Sequence, residues 1–171
     1  WRNKLVSHFT ISGIFFLGAY LHAPNVDGAI WLANEIMPLV WKKLPHITLT
    51  LAGSFPPVSI KKLASEKIIV IGYVKNLETI FSTQKIFVVP IRFGAGIRGK
   101  IIESLTFSVP AVSTTIGAEG IPLTHRKNIL IADTAEQFAN EIINLYTNDA
   151  LWNTLTHNSR DVLTPYLRDV C

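Results

Sequence analysis

The chain contains little cysteine and no histidine cluster. Its one cysteine in 171 residues is the last residue, Cys171, so an internal disulfide and a cysteine-rich zinc site are excluded. The five histidines show no metal-ligand spacing with one another or with carboxylates, so we expect no zinc or iron site. A GxSxG nucleophile motif is also missing, which leaves hydrolase chemistry without a candidate residue.

Long apolar runs and dense charge are missing as well. No run reaches the ~18 apolar residues that a membrane span needs, and no signal peptide is evident. The formal net charge of +4 is spread along the chain, which argues against nucleic acid and suits an anionic small ligand or weak contact with an anionic membrane surface. The low cysteine usage favours a reducing, cytoplasmic setting, and membrane contact there would be at the inner face.

The length and composition predict one domain. A chain of 171 residues with 49% hydrophobic content can bury a substantial core but is too short for two full domains. The first residue is Trp1 and not Met, from which we expect the chain to be a piece of a longer protein.

Short apolar runs alternate with longer amphipathic runs along the whole chain. This alternation is typical of βαβ units and predicts an α/β fold, a doubly wound, Rossmann-like parallel sheet of about six strands with helices on both faces. The predicted strands are 14–19, 47–52, 68–72, 86–90, 110–114 and 129–132, and the predicted helices are 27–43, 57–65, 76–82, 98–108, 135–147 and 149–163.

Some residues predict where these elements begin and end. We expect Asp27 to cap the first helix, Pro45 to follow its end, and the proline after Leu163 to break the last helix. Ligands of doubly wound sheets bind outside the carboxyl ends of the strands, near the switch between the first and fourth strands. The loops 18–27 and 90–99 are therefore the candidate binding loops.

The segment after the fourth strand carries three glycines, Gly94, Gly96 and Gly99. Glycines at a strand-to-helix turn let the backbone approach a ligand closely, and free amides with Arg98 and Lys100 favour an anion. A phosphate-bearing ligand is the first hypothesis. The competing interpretation is that the glycines serve only close packing of the strand and the helix.

Taken literally, these glycines spell GxGxxG, and Glu119 follows about 20 residues later as a dinucleotide fingerprint requires. A true fingerprint directly follows the first strand, whereas this one follows the fourth, and the first strand leads into a loop without a glycine triplet. Dinucleotide binding is therefore the weaker alternative. A second glycine-bearing loop, 114–120, either faces an anion too or is a simple turn with Gly117 and Gly120 at positive φ.

Glu103 follows the glycines on the first turns of the next helix. Its carboxylate either interacts with the helix dipole alone or accepts two hydrogen bonds from vicinal hydroxyls, for which ribose is the obvious candidate. Lys100 is close enough to the glycines to reach a phosphate and is otherwise a solvated cation.

The central block of the chain resembles a known family. It resembles the C-terminal domain of group 1 glycosyltransferases, retaining enzymes with the two-domain B-type fold, over residues 13–163. The residues that carry the resemblance are Pro90, Arg92, Gly94, Ala95, Gly96, Arg98, Lys100, 103–105, 110–114, Gly117 and 119–120, with weaker support at Gly18, 24–25, 31–32, 51–53 and 71–74.

The resemblance implies a metal-independent glycosyltransferase, with hexosyl transfer expected, and no cofactor besides a nucleoside-diphosphate sugar donor of unknown base. The chain, 1–171, would then be the single donor-binding domain, and its N-terminal partner domain would hold most of the acceptor site, so we expect the chain alone to be inactive. No catalytic residue and no metal ligand is assigned. By resemblance, the donor-binding residues are Gly94, Ala95, Gly96, Ile97 and Arg98 at the diphosphate and sugar, Lys100 at a phosphate, Glu103 at the ribose, Val74 beside the base, and Gly18.

One position departs from the common family pattern. Many members carry two glutamates eight positions apart, and here the earlier position is Ala95. The contact of that carboxylate with the transferred sugar is lost, which leaves the identity of the sugar open. A non-catalytic flavodoxin-like or receiver-like module remains a third hypothesis, although the first strand ends without the acidic cluster of a receiver.

Overall fold

The structure is a computed structural model that describes residues 11–94 and 98–167. The predicted doubly wound sheet is confirmed, and each strand lies inside its predicted range. The strands are β1 (Ile14–Leu17), β2 (Leu49–Ala52), β3 (Ile68–Ile71), β4 (Ile86–Val89), β5 (Ala111–Ser113) and β6 (Leu130–Ile131).

All neighbouring strands pair in parallel, in the order β3-β2-β1-β4-β5-β6. Parallel strands are covered on both faces, which explains why β1, β2, β4 and β5 are almost uninterrupted apolar runs. The chain leaves β1 towards β2 and later crosses back to β4. Because parallel crossovers are right-handed, this reversal places helices on both faces of the sheet.

The helices follow the predicted pattern with differences at their ends. The helices are α1 (Ala23–Trp31), α2 (Met37–Lys43), α3 (Val58–Lys61), α4 (Leu77–Phe81), α5 (Arg98–Thr106), α6 (Ala135–Thr147) and α7 (Asp149–Leu167). A π-helical turn, Leu32–Ile36, joins α1 and α2 into one helical segment.

Three predicted helix ends are wrong by four residues. One is the end of α3, which stops at Lys61 and not at 65. The first helix begins at Ala23 with His22 as its N-cap, so Asp27 lies inside the helix and does not cap it. Pro24 in the first turn explains why the helix starts before Asp27. A proline in the first turn removes no intrahelical hydrogen bond. At the other end of the chain, α7 continues to Leu167, past the expected break after Leu163, while Pro45 does follow the end of α2.

Aromatic side chains fill the core below the centre of the sheet. The ring of Phe15 on β1 meets Phe81 edge-on at 5.1 Å and Phe87 on β4 at 5.8 Å. All three are almost completely buried, and each contributes about 2–3 kcal/mol of transfer free energy to folding. Within the described residues, no helix is both long and apolar enough to cross a lipid bilayer.

Candidate functional site

The loop after β1 is packed too tightly for any side chain at Gly18. A Cβ there would lie 2.8 Å from Cγ of Asn25 and 2.9 Å from Cζ of Phe16. The Gly18 amide donates to the carbonyl of Ala52 at 2.9 Å, and the buried Asn25 amide donates to the carbonyl of Ala19 at 2.8 Å. Gly18 therefore lies at the carboxyl end of β1, as predicted. Its lack of a side chain lets Asn25 and Phe16 pack against the backbone there.

The loop after β4 approaches this first loop directly. Gly94 has φ +94°, and a Cβ on it would lie 2.7 Å from Cγ of Pro24 in the first turn of α1. Gly28, one turn further along α1, is equally close to the start of the β4 loop, because its Cβ would lie 2.5 Å from the Pro90 carbonyl oxygen. The two loops predicted to meet at the switch point are thus in contact.

An ion pair joins the same two segments. Arg92 donates two hydrogen bonds to the Asp27 carboxylate, from Nε at 2.9 Å and from Nη2 at 2.6 Å. The guanidinium also lies 5.2 Å from the centre of the Trp31 ring. The sequence did not predict this ion pair, because its two residues are 65 positions apart and leave no signal in local spacing.

Lys100 and Glu103 lie on the first turns of α5, and both are half-buried. Burial lowers the pKa of Lys100 to about 8, although the nearby Glu103 charge opposes this shift. Burial likewise raises the pKa of Glu103, and Lys100 opposes that shift. Among the described residues, the two groups act on each other through their charges, and no hydrogen bond or ion pair within 4 Å is seen for either.

The remaining predicted residues of this segment are only partly described. Ala95, Gly96 and Ile97 lie outside the described residues, and of Arg98 only the backbone at the start of α5 is described. The amides at a helix start carry a partial positive charge, so the start of α5 favours an anion next to Gly94 and Lys100.

Val74 lies on the far side of the site. It follows β3, and its half-buried side chain packs against the core, while Tyr73 beside it is 78% exposed. Three strand spacings separate β3 from β4, which amounts to roughly 14 Å across the sheet. Val74 therefore lies at the same end of the strands as the β4 loop, with β2 and β1 between them in the sheet.

The loop after β5 supports the β4 loop from the other side. The buried Thr114 hydroxyl donates to the carbonyl of Ile91 and accepts from the Gly117 amide at 3.0 Å. Of the two glycines considered for positive φ, Gly120 has φ +83° and Gly117 does not. Gly117 is instead required by packing, because a Cβ would lie 2.6 Å from the Ser113 hydroxyl oxygen.

Exposed apolar side chains are concentrated along this edge. Apolar side chains of this size on a polar surface are common at binding sites when they occur as a group. Among the described residues, most of the exposed large apolar side chains follow the carboxyl ends of strands, namely Leu21, Phe55, Val58, Tyr73, Phe93 and Ile116. No group of three or more potential metal ligands occurs in the described ranges.

The strand order and the glycine-bearing loop after β4 define a doubly wound α/β domain of the Rossmann type. A family model for group 1 glycosyl transferases matches residues 12–148. The chain belongs to this family of glycosyl transferases.

A relative from Klebsiella pneumoniae, called an uncharacterized 44.6 kDa protein in the cps region, is 32% identical over 144 residues. The match covers 79% of this chain but only 37% of that relative. The chain thus spans little more than a third of the length of the relative that it matches.

Solved structures share the fold. The C-terminal domain of the group 1 glycosyl transferase LpcC from Francisella tularensis superposes with a TM-score of 0.73 at 18% identity, covering 91% of this chain and 87% of that one. HepE from Anabaena, solved in complex with UDP and glucose, gives a TM-score of 0.72 at 11% identity, with coverages of 92% and 45%.

Proposed function

We propose that this chain is the donor-binding domain of a retaining, metal-independent glycosyltransferase. In this proposal the whole protein transfers a sugar, a hexose in the simplest case, from a nucleoside-diphosphate sugar to an acceptor. The observation that carries the proposal is the pair Lys100 and Glu103, both half-buried on the first turns of α5, the helix that follows Gly94 at the switch point. Family membership supports the reaction class.

Each group has a chemical role in the proposal. The Glu103 carboxylate accepts hydrogen bonds from the two ribose hydroxyls, a geometry that suits a charged bidentate acceptor. Lys100 and the amides at the start of α5 contact the diphosphate. Gly94, with the segment 95–98, allows the phosphates to approach the backbone, and Val74 with Tyr73 lies at the edge where the base extends.

Lys100 and the amides at the start of α5 also explain how the protein assists transfer of the sugar. When the bond between the anomeric carbon and the phosphate oxygen breaks, its electrons stay on the nucleoside diphosphate, whose charge grows. Preorganised amides and a cation in a half-buried site stabilise this charge more strongly than water does. Lys100 is proposed to supply this cation. The acceptor hydroxyl forms the new bond to the anomeric carbon and gives its proton to the departing phosphate oxygen.

The proposal also includes a second domain and a cellular location for the whole protein. The chain covers 37% of its Klebsiella relative, so a second domain is proposed to hold the acceptor and close the cleft. The cytoplasm is the proposed location, with peripheral contact of the complete protein at the inner face of the membrane.

The alternative is a dinucleotide-dependent oxidoreductase, which the literal GxGxxG favours. The structure places Gly94 after β4, whereas the loop after β1 leads to a helix that starts with Ala23 and Pro24. A dinucleotide fingerprint requires its glycines in that first loop, so the position of the motif favours the transferase.

Thermal-shift measurements with UDP, GDP, ADP and NAD test the proposal. HepE, a protein of the same fold, binds UDP, which makes UDP the first probe. Stabilisation by a nucleoside diphosphate that is lost in Glu103→Ala supports a transferase donor site. Stabilisation by NAD alone overturns the proposal in favour of an oxidoreductase.

A further inference from the structure

Arg92 is held by α1 on two sides. Its guanidinium makes a two-pronged hydrogen bond with Asp27 and lies against the face of the Trp31 ring. The hydrogen bond to Asp27 raises the pKa of Arg92, and the charge of Glu35 acts in the same direction. The positive charge of Arg92 is therefore already balanced by carboxylates, which lowers its attraction for a phosphate.

The anchor for Arg92 is itself rigid. Trp31 is 5% exposed, and its ring meets Phe138 of α6 edge-on at 6.0 Å. Arg92 lies two residues before Gly94, and Gly94 touches Pro24 of the same helix. The loop that follows β4 is thus fastened to α1 at two points, one polar and one apolar.

We propose that Arg92 is a positioning residue: with Asp27 and Trp31 it fixes the backbone of Phe93 and Gly94 for the diphosphate of the donor. This inference rests on the proposed donor site. A planar, bidentate guanidinium fixes direction as well as distance, which a lysine in the same place does not do. A small displacement of groups that contact a ligand is enough to lower its affinity severalfold.

The test compares a nucleoside diphosphate with its nucleoside. Dissociation constants for UDP, GDP and ADP, and for uridine, guanosine and adenosine, are measured on the whole chain and on Arg92→Met, Asp27→Asn and the double variant. We expect each single variant to weaken the diphosphate about tenfold and the nucleoside by less than twofold. The double variant should be no weaker than either single variant, since both break one interaction.

Exchanging the two residues of the ion pair distinguishes a positioning role of Arg92 from direct contact of Arg92 with a phosphate. Asp27→Arg combined with Arg92→Asp keeps the ion pair, so it should recover most of the diphosphate affinity. A direct phosphate ligand predicts no recovery, and it predicts that Asp27→Asn leaves binding unchanged or tighter. Either result overturns the positioning role, as does an equal loss of nucleoside and diphosphate binding, which indicates general loosening of the fold.

A second arginine–carboxylate pair provides the control. Arg126 pairs with Glu141 at 3.1 Å before the amino end of β6, away from the candidate site. Arg126→Met should leave all affinities unchanged. If the unaltered chain binds none of the three diphosphates, the proposed function fails together with this inference. If it binds one of them and the Arg92 and Asp27 variants bind it equally well, only the inference fails.

Discussion

At the scale of single residues, Glu103 shows a conflict between stability and binding. Its carboxylate is half-buried with a raised pKa, so the folded chain loses stability by keeping it ionised at neutral pH. Active sites commonly retain such unfavourable groups because the ligand needs them. The proposal assigns this need to the hydroxyls of a ribose.

Glu103→Gln should therefore separate the two effects. We expect a melting temperature equal to or above that of the unaltered chain, because an amide in this position has no charge to desolvate. Binding of the nucleoside diphosphate should weaken about 10- to 100-fold, since hydrogen bonds to a charged group are lost. Calorimetric titration and thermal unfolding measure the two quantities.

Glu66→Gln is the matched control, because Glu66 is exposed just before β3, at the opposite edge of the sheet. It should change neither quantity. Unchanged nucleotide affinity in Glu103→Gln would contradict the assignment of the ribose contact to Glu103.

Lys100 predicts a pH dependence of binding. Its pKa is lowered from 10.5 to about 8 in the folded chain, so it is protonated at pH 7 and loses its charge above pH 8. Diphosphate affinity should change little between pH 7 and 7.5 and fall above pH 8 by up to about tenfold per pH unit. The unliganded fold should gain stability over the same rise, because the unfolded chain holds this proton more tightly.

The variant Lys100→Met should bind weakly and lose this dependence between pH 7 and 9.5, whereas Lys43→Met on α2 should keep it. The phosphates themselves are fully ionised above pH 7.5, since their last pKa is about 6. Identical pH profiles for the unaltered chain and Lys100→Met would show that Lys100 does not contact the anion.

At the scale of elements, the strands were predictable and the helix ends were not. Strands such as β1 and β4 are buried on both faces, so their apolar runs stand out from the sequence alone. The start of α1 was misplaced because Asp27 resembles a cap, whereas the structure uses it to bind Arg92. That choice depends on a residue 65 positions away.

The end of α7 was misjudged for a related reason. A proline in the last turn of a helix removes one backbone donor and strains one contact. Burial of Val162 and Leu163 holds the preceding turn against the core and offsets this cost. The low helix propensity of proline predicted a break after Leu163, but tertiary packing keeps the helix intact to Leu167.

The candidate site was also predictable only in part. Gly94, Lys100 and Glu103 are close in sequence, so their proximity on one loop and helix could be inferred. The supporting groups, Asp27, Trp31 and Thr114, come from other elements and meet the loop only in the folded chain.

The contact between α1 and β4 can be tested at Gly28. Alanine normally stabilises a helix relative to glycine by about 1 kcal/mol. At Gly28, however, a Cβ would lie 2.5 Å from the Pro90 carbonyl oxygen, which is backbone and cannot rotate away. We expect Gly28→Ala to lower the free energy of unfolding by about 1–2 kcal/mol, measured by urea denaturation.

Gly99→Ala is the comparison, since Gly99 is also helical and a Cβ on it meets no described atom within 4 Å. It should be neutral or stabilising. A stabilising effect of Gly28→Ala would mean that α1 and the β4 loop are not in close contact.

At the level of the whole molecule, the length of the chain bears on the proposal that a second domain is needed for transfer. It matches the length of an isolated C-terminal domain of known structure and little more than a third of its Klebsiella relative. Most of the exposed large apolar side chains of the described residues follow the carboxyl ends of the strands. Transfer to an acceptor needs a dry, closed site.

We therefore expect the 171 residues alone to bind a donor without turning it over. Incubation with radiolabelled UDP-glucose and GDP-mannose, with water or simple alcohols as acceptors, should release no free or transferred sugar above the buffer rate. Measurable glycosyl transfer by this chain would refute the need for a second domain.

The proposed site binds a nucleoside diphosphate through its ribose and its phosphates. Calorimetric titration with UDP, GDP and ADP, each compared with its 2′,3′-dideoxy form, tests this binding mode. We expect one diphosphate to bind and the loss of its ribose hydroxyls to weaken binding at least about tenfold. Binding of none of the three, or equal binding of the dideoxy form, would show that these residues do not form such a site.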